Sequence, residues 1–502
     1  MERLNVFIDG YIAENPQNRC FWWDGSWFDL AFLKSLADSA EKTLAASGFS
    51  EGQRLVVLMP NNPMILALSL AAWRLGGSIC PLNVKSGIPS LVGTLSLLEP
   101  FAVVTSEETR QEIGRTLEEQ GWPHVTCHPM GPLPAFTGRP GTPEERDLAV
   151  IFSTSGTTGA PKAVPLSHGN IRSNCEACLK ALKPLRPGDV FLNVLPNFHS
   201  FGFTTATLLP LFSRAAQAIV PSFMPPHNTL AAIEAASANV VILVPTMLSF
   251  LLGLLERGGK RLQGVKILVT GGDRYNALLD EKAEALIGVG VLEGYGITEC
   301  SPVLSANGDY GTRKLGTAGE FLDGFSWQLR GEGGAVLHAE ENENPRNGEG
   351  VLWVRGPSVT KGYFRVTEDG AARFDGGWFN TGDYVRVEDG RIRILDRVTD
   401  IIIVGGFNVY PQEVEAVLQN HPAVQTAVVV GVPHPVSGEI PKAYILKKPG
   451  AEASALGIIR YCKEKLAHFK VPRSVEFTDS LPLSATGKVL RRVLRERERA
   501  GH

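Results

Sequence analysis

The sequence predicts an α/β protein: a large N-terminal domain of layered α/β subdomains with a β-rich subdomain, followed by a small α+β C-terminal domain. Three observations carry that prediction. First, apolar runs such as RLVVLM (54–59), FAVVT (101–105), LAVIFST (148–154), VVILVP (240–245) and VKILVTGG (265–272) run into Gly, Pro or Ser, with longer helical patterns between them. Buried strands alternating with helices are the pattern of largely parallel sheets, whose ligands sit beyond the carboxyl ends of the strands. Second, from about residue 316 the pattern turns to apolar/polar alternation around Asp-Gly turns, in GEGVLWVRG (348–356) and GWFNTGDYVRVEDGRIRILD (377–396), as antiparallel hairpins do. Third, after Asp396 the order reads strand, helix, strand, helix in DIIIVGGFNVY, PQEVEAVLQNH, VQTAVVVGV and ALGIIRYCKEKLAHF. The expected domains are 1–396, with its β-rich part at about 316–396, and 397–502.

The bulk numbers agree with a multi-domain globular chain. At 502 residues it is too long for one ordinary core, and 20 % charged against 44 % hydrophobic residues is far from disordered or fibrous compositions. A formal net charge of -3 carries no basic excess of the kind that phosphate neutralisation requires, so no nucleic-acid partner is expected. The amino terminus shows no apolar core followed by a small-residue cleavage site, so a cytoplasmic location is expected. The window Met64 to Leu82 is broken by Arg74 and two glycines, and reads as a buried helix and a strand rather than a membrane span. Seven cysteines are expected to stay reduced, and the CxxC of Cys175 and Cys178, lacking a second pair, is read as structural. The tail RRVLRERERAGH alternates signs and is expected to be a solvated helix.

The stretch STSGTTGAPK (153–162) holds the first chemistry. Seven consecutive hydroxyl or glycine residues follow an apolar strand and precede Lys162. Glycines let backbone N–H groups approach an anion, hydroxyls add donors and the lysine adds charge, a combination suited to phosphate oxygens. It is not a Walker loop, because Ala160-Pro161 separate the second glycine from the lysine, and no GxGxxG follows a strand.

With LPNFHSFG (195–202), GYGITE (294–299), GEGVLWVRGPSVTKGYF (348–364), TGD (381–383), DRVTDIIIVGGFNVYPQEVE (396–415) and PLSATGK (482–488) following in order along nearly the whole chain, the sequence resembles the adenylate-forming superfamily. That group contains acyl-CoA synthetases, carrier-protein adenylation domains and beetle luciferase. The resemblance implies ATP-dependent activation of a carboxylic acid as an acyl-adenylate, then transfer to a pantetheine thiol. It implies ATP and Mg²⁺ as cofactors, with CoA as the acceptor substrate. An acyl carrier protein is the alternative acceptor, and a non-catalytic nucleotide-binding regulatory protein is the alternative class. Intact Lys162, Glu299, Asp383 and Lys488 favour turnover.

Residue by residue, the resemblance assigns Thr154, Ser155, Gly156, Thr157, Thr158, Gly159 and Lys162 to the phosphates and Glu299 to the metal, a hard cation that takes oxygen ligands. Thr298 reaches the α-phosphate, Tyr295 with Gly296 faces adenine, and Asp383 with Arg397 holds the ribose. Lys488 is the cation that bridges carboxylate and α-phosphate during adenylation. The C-terminal domain is expected to be mobile, replacing Lys488 with Gly405 and Gly406 for the pantetheine arm; Thr399 stands where relatives carry Asp or Lys at the hinge. His199 is the expected gate, and Phe198, Phe203, Gly271 and Gly272 the acyl pocket. Apolar surroundings of His199, which include Phe201, Leu208 and Leu209, and the absence of aspartate between Leu195 and Phe212 favour a medium- or long-chain fatty acid over an α-amino acid, although Asp273 leaves an amino or hydroxyl substrate open.

Overall fold

The computed structural model describes residues 2–144, 147–155, 161–273, 275, 278–340, 347–365, 371–483 and 489–500. These form two compact units, Met1–Ser326 with Val354–Phe379 and Trp327–Trp353 with Asn380–His502.

The first unit holds two sheets. In one, the strands run in the order His124–Thr126, Ala102–Thr105, Arg54–Leu58, Ser78–Pro81, Leu148–Ser155 and Pro161–Ser167. All neighbours pair in parallel except the last two, whose antiparallel register sets Thr154 opposite Lys162. The central strand Arg54–Leu58 is buried at every position, which explains why it reads as an unbroken apolar run rather than an alternating one. The other sheet places Leu292–Gly296, Ile267–Thr270, Val240–Leu243, Val190–Asn193, Ala216–Ile219 and Arg19–Trp23 side by side in parallel, with Ser26–Asp29 antiparallel beside Arg19–Trp23, and Val303–Ala306, itself paired with Glu320–Phe321, antiparallel beside Leu292–Gly296. Its core gathers Leu192, Leu243, Leu248, Leu252 and Leu268.

The apolar window at 64–82 is a helix and a strand. Asn62 caps the helix Pro63–Arg74 by accepting from Met64 N at 2.9 Å, proline sits at the first turn, and the strand Ser78–Pro81 follows. Arg74, the interrupting charge, closes the helix against Asp9, Asp38 and Glu41. Among the described residues no helix is long and apolar enough to cross a membrane. Cys175 and Cys178 are buried on the helix His168–Ala181, and burial pushes both thiols up, that of Cys178 to about 12, so neither is a thiolate at neutral pH.

The second unit begins with the strands Val336–Ala339, Ser326–Arg330, Gly348–Arg355, Trp378–Glu388 and Arg391–Arg397 in that order. The hairpin predicted around Asp389-Gly390 forms as read, with strict alternation of burial along Trp378–Glu388. Beyond it, DIIIVGGFNVY is a two-stranded hairpin, Ile402–Val404 against Phe407–Val409, rather than one strand. Helix Pro411–Gln419 and strand Val424–His434 follow as expected, and Val424–His434 pairs with Gly438–Lys447, a strand that the strand, helix, strand, helix reading lacked. Its proline, glutamate and lysine residues masked the β pattern.

The terminal helix corrects the expectation of a solvated tail. In Arg491–Ala500, Arg491, Leu494, Arg495 and Glu498 recur at helical spacing and face the unit. Leu494 is 1 % exposed, Arg491 Nη2 lies 2.6 Å from Glu415 Oε2, and Glu498 takes Lys442 Nζ at 2.7 Å. Arg495 pairs with Asp400 at 2.8 Å and donates to the carbonyl of Thr399. The alternating signs are thus read out as pairs on one face, while Arg492 and Glu496 keep the solvated one.

Asp396 is fully buried and accepts from Gln412 N at 3.0 Å, at the start of the Pro411–Gln419 helix, and from Arg397 N at 2.8 Å. Burial nevertheless raises its carboxyl from 3.8 to about 6, with Arg491 and the two N–H donors opposing the rise and Glu415 adding to it. A folded pKa above the unfolded one means that the fold prefers the protonated acid. The associated stability is fully present below 3.8 and is lost as pH rises through about 6. Asp396→Asn should therefore gain stability relative to the unmodified chain between pH 4 and pH 7, as read by urea unfolding at several pH values; a pH-independent difference contradicts this assignment.

Candidate active site

The strand Leu148–Ser155 has its carboxyl end at Ser155, and ligands of such sheets bind at the carboxyl ends of strands. Gly156, Thr157, Thr158 and Gly159 lie outside the described residues, as does Lys488. Thr154 and Ser155 end the strand, and Lys162 stands at the start of the next one, with its Nζ 5.6 Å from the centroid of the Tyr363 ring.

Tyr363 joins Lys162 to Glu299. Its hydroxyl donates to Glu299 Oε1 at 2.6 Å and accepts from Arg373 Nη1 at 3.0 Å, and Arg373 Nη1 stands 3.6 Å from the same carboxylate oxygen. Burial, reinforced by the Glu299 charge, pushes the phenol well above its ordinary value, so Tyr363 is a protonated donor at neutral pH. Glu299 is 9 % exposed, in a short turn Thr298–Cys300 that follows the strand Leu292–Gly296.

The segment carrying Tyr363 is held by hydrogen bonds from three elements. Asn170, inside the capping box of His168–Ala181, donates to the carbonyls of Pro357 and Val359 at 2.6 and 3.1 Å. Ser301 Oγ donates to Ser358 O at 2.7 Å, Thr360 N to Glu299 O at 2.8 Å, and Thr360 Oγ1 to Pro165 O at 2.6 Å. Phe364 N then donates to Ala163 O at 2.8 Å, next to Lys162. PSVTKGYF therefore fastens the strand that carries Lys162 to the turn that carries Glu299.

Thr298, 7 % exposed, lies with its Oγ1 3.0 Å from Ser200 Oγ, which ties the turn to the LPNFHSFG segment. Tyr295 is half-buried on the strand Leu292–Gly296. Gly296 is required there by close approach, since a Cβ would fall 2.2 Å from Pro302 O. His199 is half-buried; its Nδ1 accepts from Phe201 N at 3.3 Å and its carbonyl from Phe203 N at 3.0 Å. A π-helix, Gly202–Leu208, follows directly, and such insertions in helices gather at functional sites.

The four acyl-pocket candidates divide. Phe203 is fully buried, edge-on to Phe152 and Trp73 at centroid distances of 5.6 and 6.5 Å, so it packs in the core. Phe198 is half-buried. The ring that meets the two glycines is that of Phe201: a Cβ on Gly271 would sit 3.4 Å from its Cζ, and one on Gly272 3.6 Å from its Cδ1. The alternating faces of a helical turn separate Phe201 from Phe203, which no apolar pattern around His199 distinguishes.

In the second unit, Asp383 and Arg397 face each other across the hairpin, with Arg397 Nε 2.7 Å from Asp383 Oδ1. Asp383 is 2 % exposed, and its N–H donates to Thr381 Oγ1 at 3.1 Å. Gly405 and Gly406 form the two-residue turn of Ile402–Val404 and Phe407–Val409, with φ of +57° and +87°. Both angles suit a type I′ turn, and no atom lies within 4 Å of a Cβ built on either glycine. Sequence reasoning passed over Tyr363 and Arg373. Tyr363 lay inside a quoted motif without a role, and nothing in the local sequence marks Arg373.

A family model described as AMP-binding enzyme matches residues 9–364, and one described as AMP-binding enzyme C-terminal domain matches 413–488. A long-chain-fatty-acid–CoA ligase of Bacillus subtilis is 31% identical, over 94% of this chain and 91% of its own length. A feruloyl-CoA synthase of an Amycolatopsis species is 32% identical, over 90% of each chain. The crystal structure of ATP-bound MatB from Rhodopseudomonas palustris aligns with a TM-score of 0.86 at 30% identity, covering 99% of both chains.

Tyr363→Phe removes the short donor to Glu299 and keeps the ring beneath Lys162. A buried carboxylate that loses a hydrogen bond costs about 1–3 kcal/mol, so the variant should unfold at lower denaturant with an unchanged m-value. Equal midpoints would mean that the hydroxyl does not stabilise Glu299.

Proposed function

The chain belongs to the AMP-binding enzyme family, and on that premise we propose that it is an acyl-CoA ligase that activates a medium- or long-chain fatty acid through its acyl-adenylate. The observation that carries the reading is the cluster of Lys162, Tyr363 and Glu299 beside the strand end where the phosphate loop begins.

A carboxylate does not acylate a thiol at neutral pH, because its charge repels the nucleophile and oxide is a poor leaving group. In the proposed first step a carboxylate oxygen attacks the α-phosphorus of ATP, and the bond from that phosphorus to the bridging oxygen of pyrophosphate breaks. Such transfer depends on position and charge rather than on a protein nucleophile. Lys162 and the residues of 154–159 are proposed to hold the outer phosphates, Thr298 the α-phosphate, Tyr295 and Gly296 the adenine, and Asp383 with Arg397 the ribose. A single buried carboxylate fits magnesium, which takes one or two carboxylates together with substrate phosphates and keeps several waters, so Glu299 is the proposed protein ligand. When bound, the ion would neutralise charge on the phosphate oxygens.

In the second step the pantetheine sulfur attacks the acyl carbonyl, the bond to AMP breaks, and the thiol proton is given up. Gly405 and Gly406 are proposed to flank the pantetheine after rotation of a C-terminal domain that begins at Arg397. CoA is the proposed acceptor, in keeping with relatives named as CoA ligases. The fatty-acid assignment is supported by the Bacillus subtilis relative and by apolar Phe198 and Phe201 near His199; the feruloyl-CoA relative makes an aromatic acid the competing substrate. Buried cysteines without disulfide partners support a reducing, cytoplasmic setting.

An acid screen with CoA and with a pantetheinylated carrier protein, reading thioester product, should give acyl-CoA from fatty acids. A preference for aromatic acids removes the substrate assignment, and exclusive loading of the carrier removes the acceptor. In the same screen Phe201→Ala should admit bulkier acids than the parent, whereas an unchanged profile would place the acyl group elsewhere. Lys488→Ala should slow adenylate formation by roughly a hundredfold or more, the usual scale for a cation or donor on developing charge, and spare thioester formation from supplied acyl-AMP. Equal loss in both half-reactions contradicts that division.

A further inference from the structure

Arg373 stands against the carboxylate assigned to magnesium, and the proposed chemistry gives it no task. Its Nη1 is 3.6 Å from Glu299 Oε1, within ion-pairing range but longer than a direct hydrogen bond. The short contact on that oxygen belongs to Tyr363, at 2.6 Å. The guanidinium is held by other partners as well: Tyr363 Oη at 3.0 Å, and the face of Phe379, whose ring centroid lies 4.7 Å from Cζ. Glu299 is 12 % exposed at its side chain and Arg373 28 %, so the arginine is the more exposed member of the pair.

We propose that Arg373 is a resident counter-ion for Glu299 that a hydrated divalent cation displaces when it arrives with the nucleotide phosphates; the proposal rests on the role given to Glu299 above. A carboxylate this buried needs a compensating charge when no metal is present, because one neutral donor does not offset its desolvation. A bidentate Arg–carboxylate fork would satisfy that need and resist exchange. The geometry here is different. Arg373 supplies charge from 3.6 Å without occupying the first hydrogen-bonding position, and its contacts to Phe379 and Tyr363 do not require Glu299, so it has a resting place once the carboxylate turns to a metal. The consequence is coupling: metal alone must compete with a tethered cation, while metal with polyphosphate brings anions that also attract the released guanidinium. Arg373 is thus a positioning residue that makes metal binding conditional on nucleotide.

The test is calorimetric titration of MgCl₂ into the full chain saturated with α,β-methylene-ATP, without acid or CoA. Arg373→Met should bind Mg²⁺ about tenfold more tightly than the parent, a modest figure because the pair is partly exposed. Arg373→Lys, which keeps the charge, should lie close to the parent. Thermal melting gives a second reading: in EDTA Arg373→Met should melt below the parent, and MgCl₂ with the analogue should close that gap. If the methionine variant does not fold, Arg373→Gln keeps a donor for Tyr363 without the charge and carries the same expectations. Equal Mg²⁺ affinity in parent and variant, or a melting gap that persists with MgCl₂ and analogue, makes Arg373 a permanent structural partner and overturns the proposal. A parent that binds no Mg²⁺ beside the analogue overturns the role of Glu299 itself, and this inference with it.

Discussion

A buried carboxylate, Glu299, must be held beside Tyr363 and Arg373, and that requirement orders much of the first unit. Glu299 is too buried to be stabilised by water alone. Its compensation comes from Tyr363 and Arg373, which are more than sixty positions away in sequence, so the chain between must return to the same place. Return is secured by backbone hydrogen bonds rather than by apolar contact alone: Asn170, Ser301 and Thr360 fix the carbonyls and N–H groups of 357–360, and Phe364 pairs with Ala163. The strand that presents Lys162 and the turn that presents Glu299 are thereby linked through one tyrosine.

The second unit holds buried acids in a related way. Arg491 lies beside Glu415 and Asp396, one cation for two buried acids, and those acids keep it charged against the opposing effect of its own burial. The same helix reaches Thr399 and Asp400 through Arg495. The carbonyl of Thr399 is held by Arg495 of that helix.

Legibility followed the range of the interaction. Strand runs such as RLVVL, the helix and strand at 63–81 and the Asp389-Gly390 hairpin are local patterns, and each forms where its pattern lies. Asp383 and Arg397, which the resemblance assigns together to the ribose, face each other through the hairpin register. What escaped was set by tertiary pairing. The alternating charges of 491–498 read as a solvated face because their partners Glu415, Asp400 and Lys442 are remote in sequence. Phe203 and Phe201 are equivalent in composition, and only helical phase sends one to Trp73 and Phe152 and the other to Gly271 and Gly272. Arg373 had no local signal, since its meaning lies in the 3.6 Å to Glu299.

The central claim is that Lys162, Tyr363 and Glu299 serve one reaction, the making of an acyl-phosphate anhydride from ATP. Isotope exchange reads that step without CoA: purified protein with MgCl₂, a fatty acid and ATP is given labelled pyrophosphate. The account predicts that label enters ATP only when acid and magnesium are both present. Failure of label to enter ATP across fatty, aromatic and short dicarboxylic acids would contradict it.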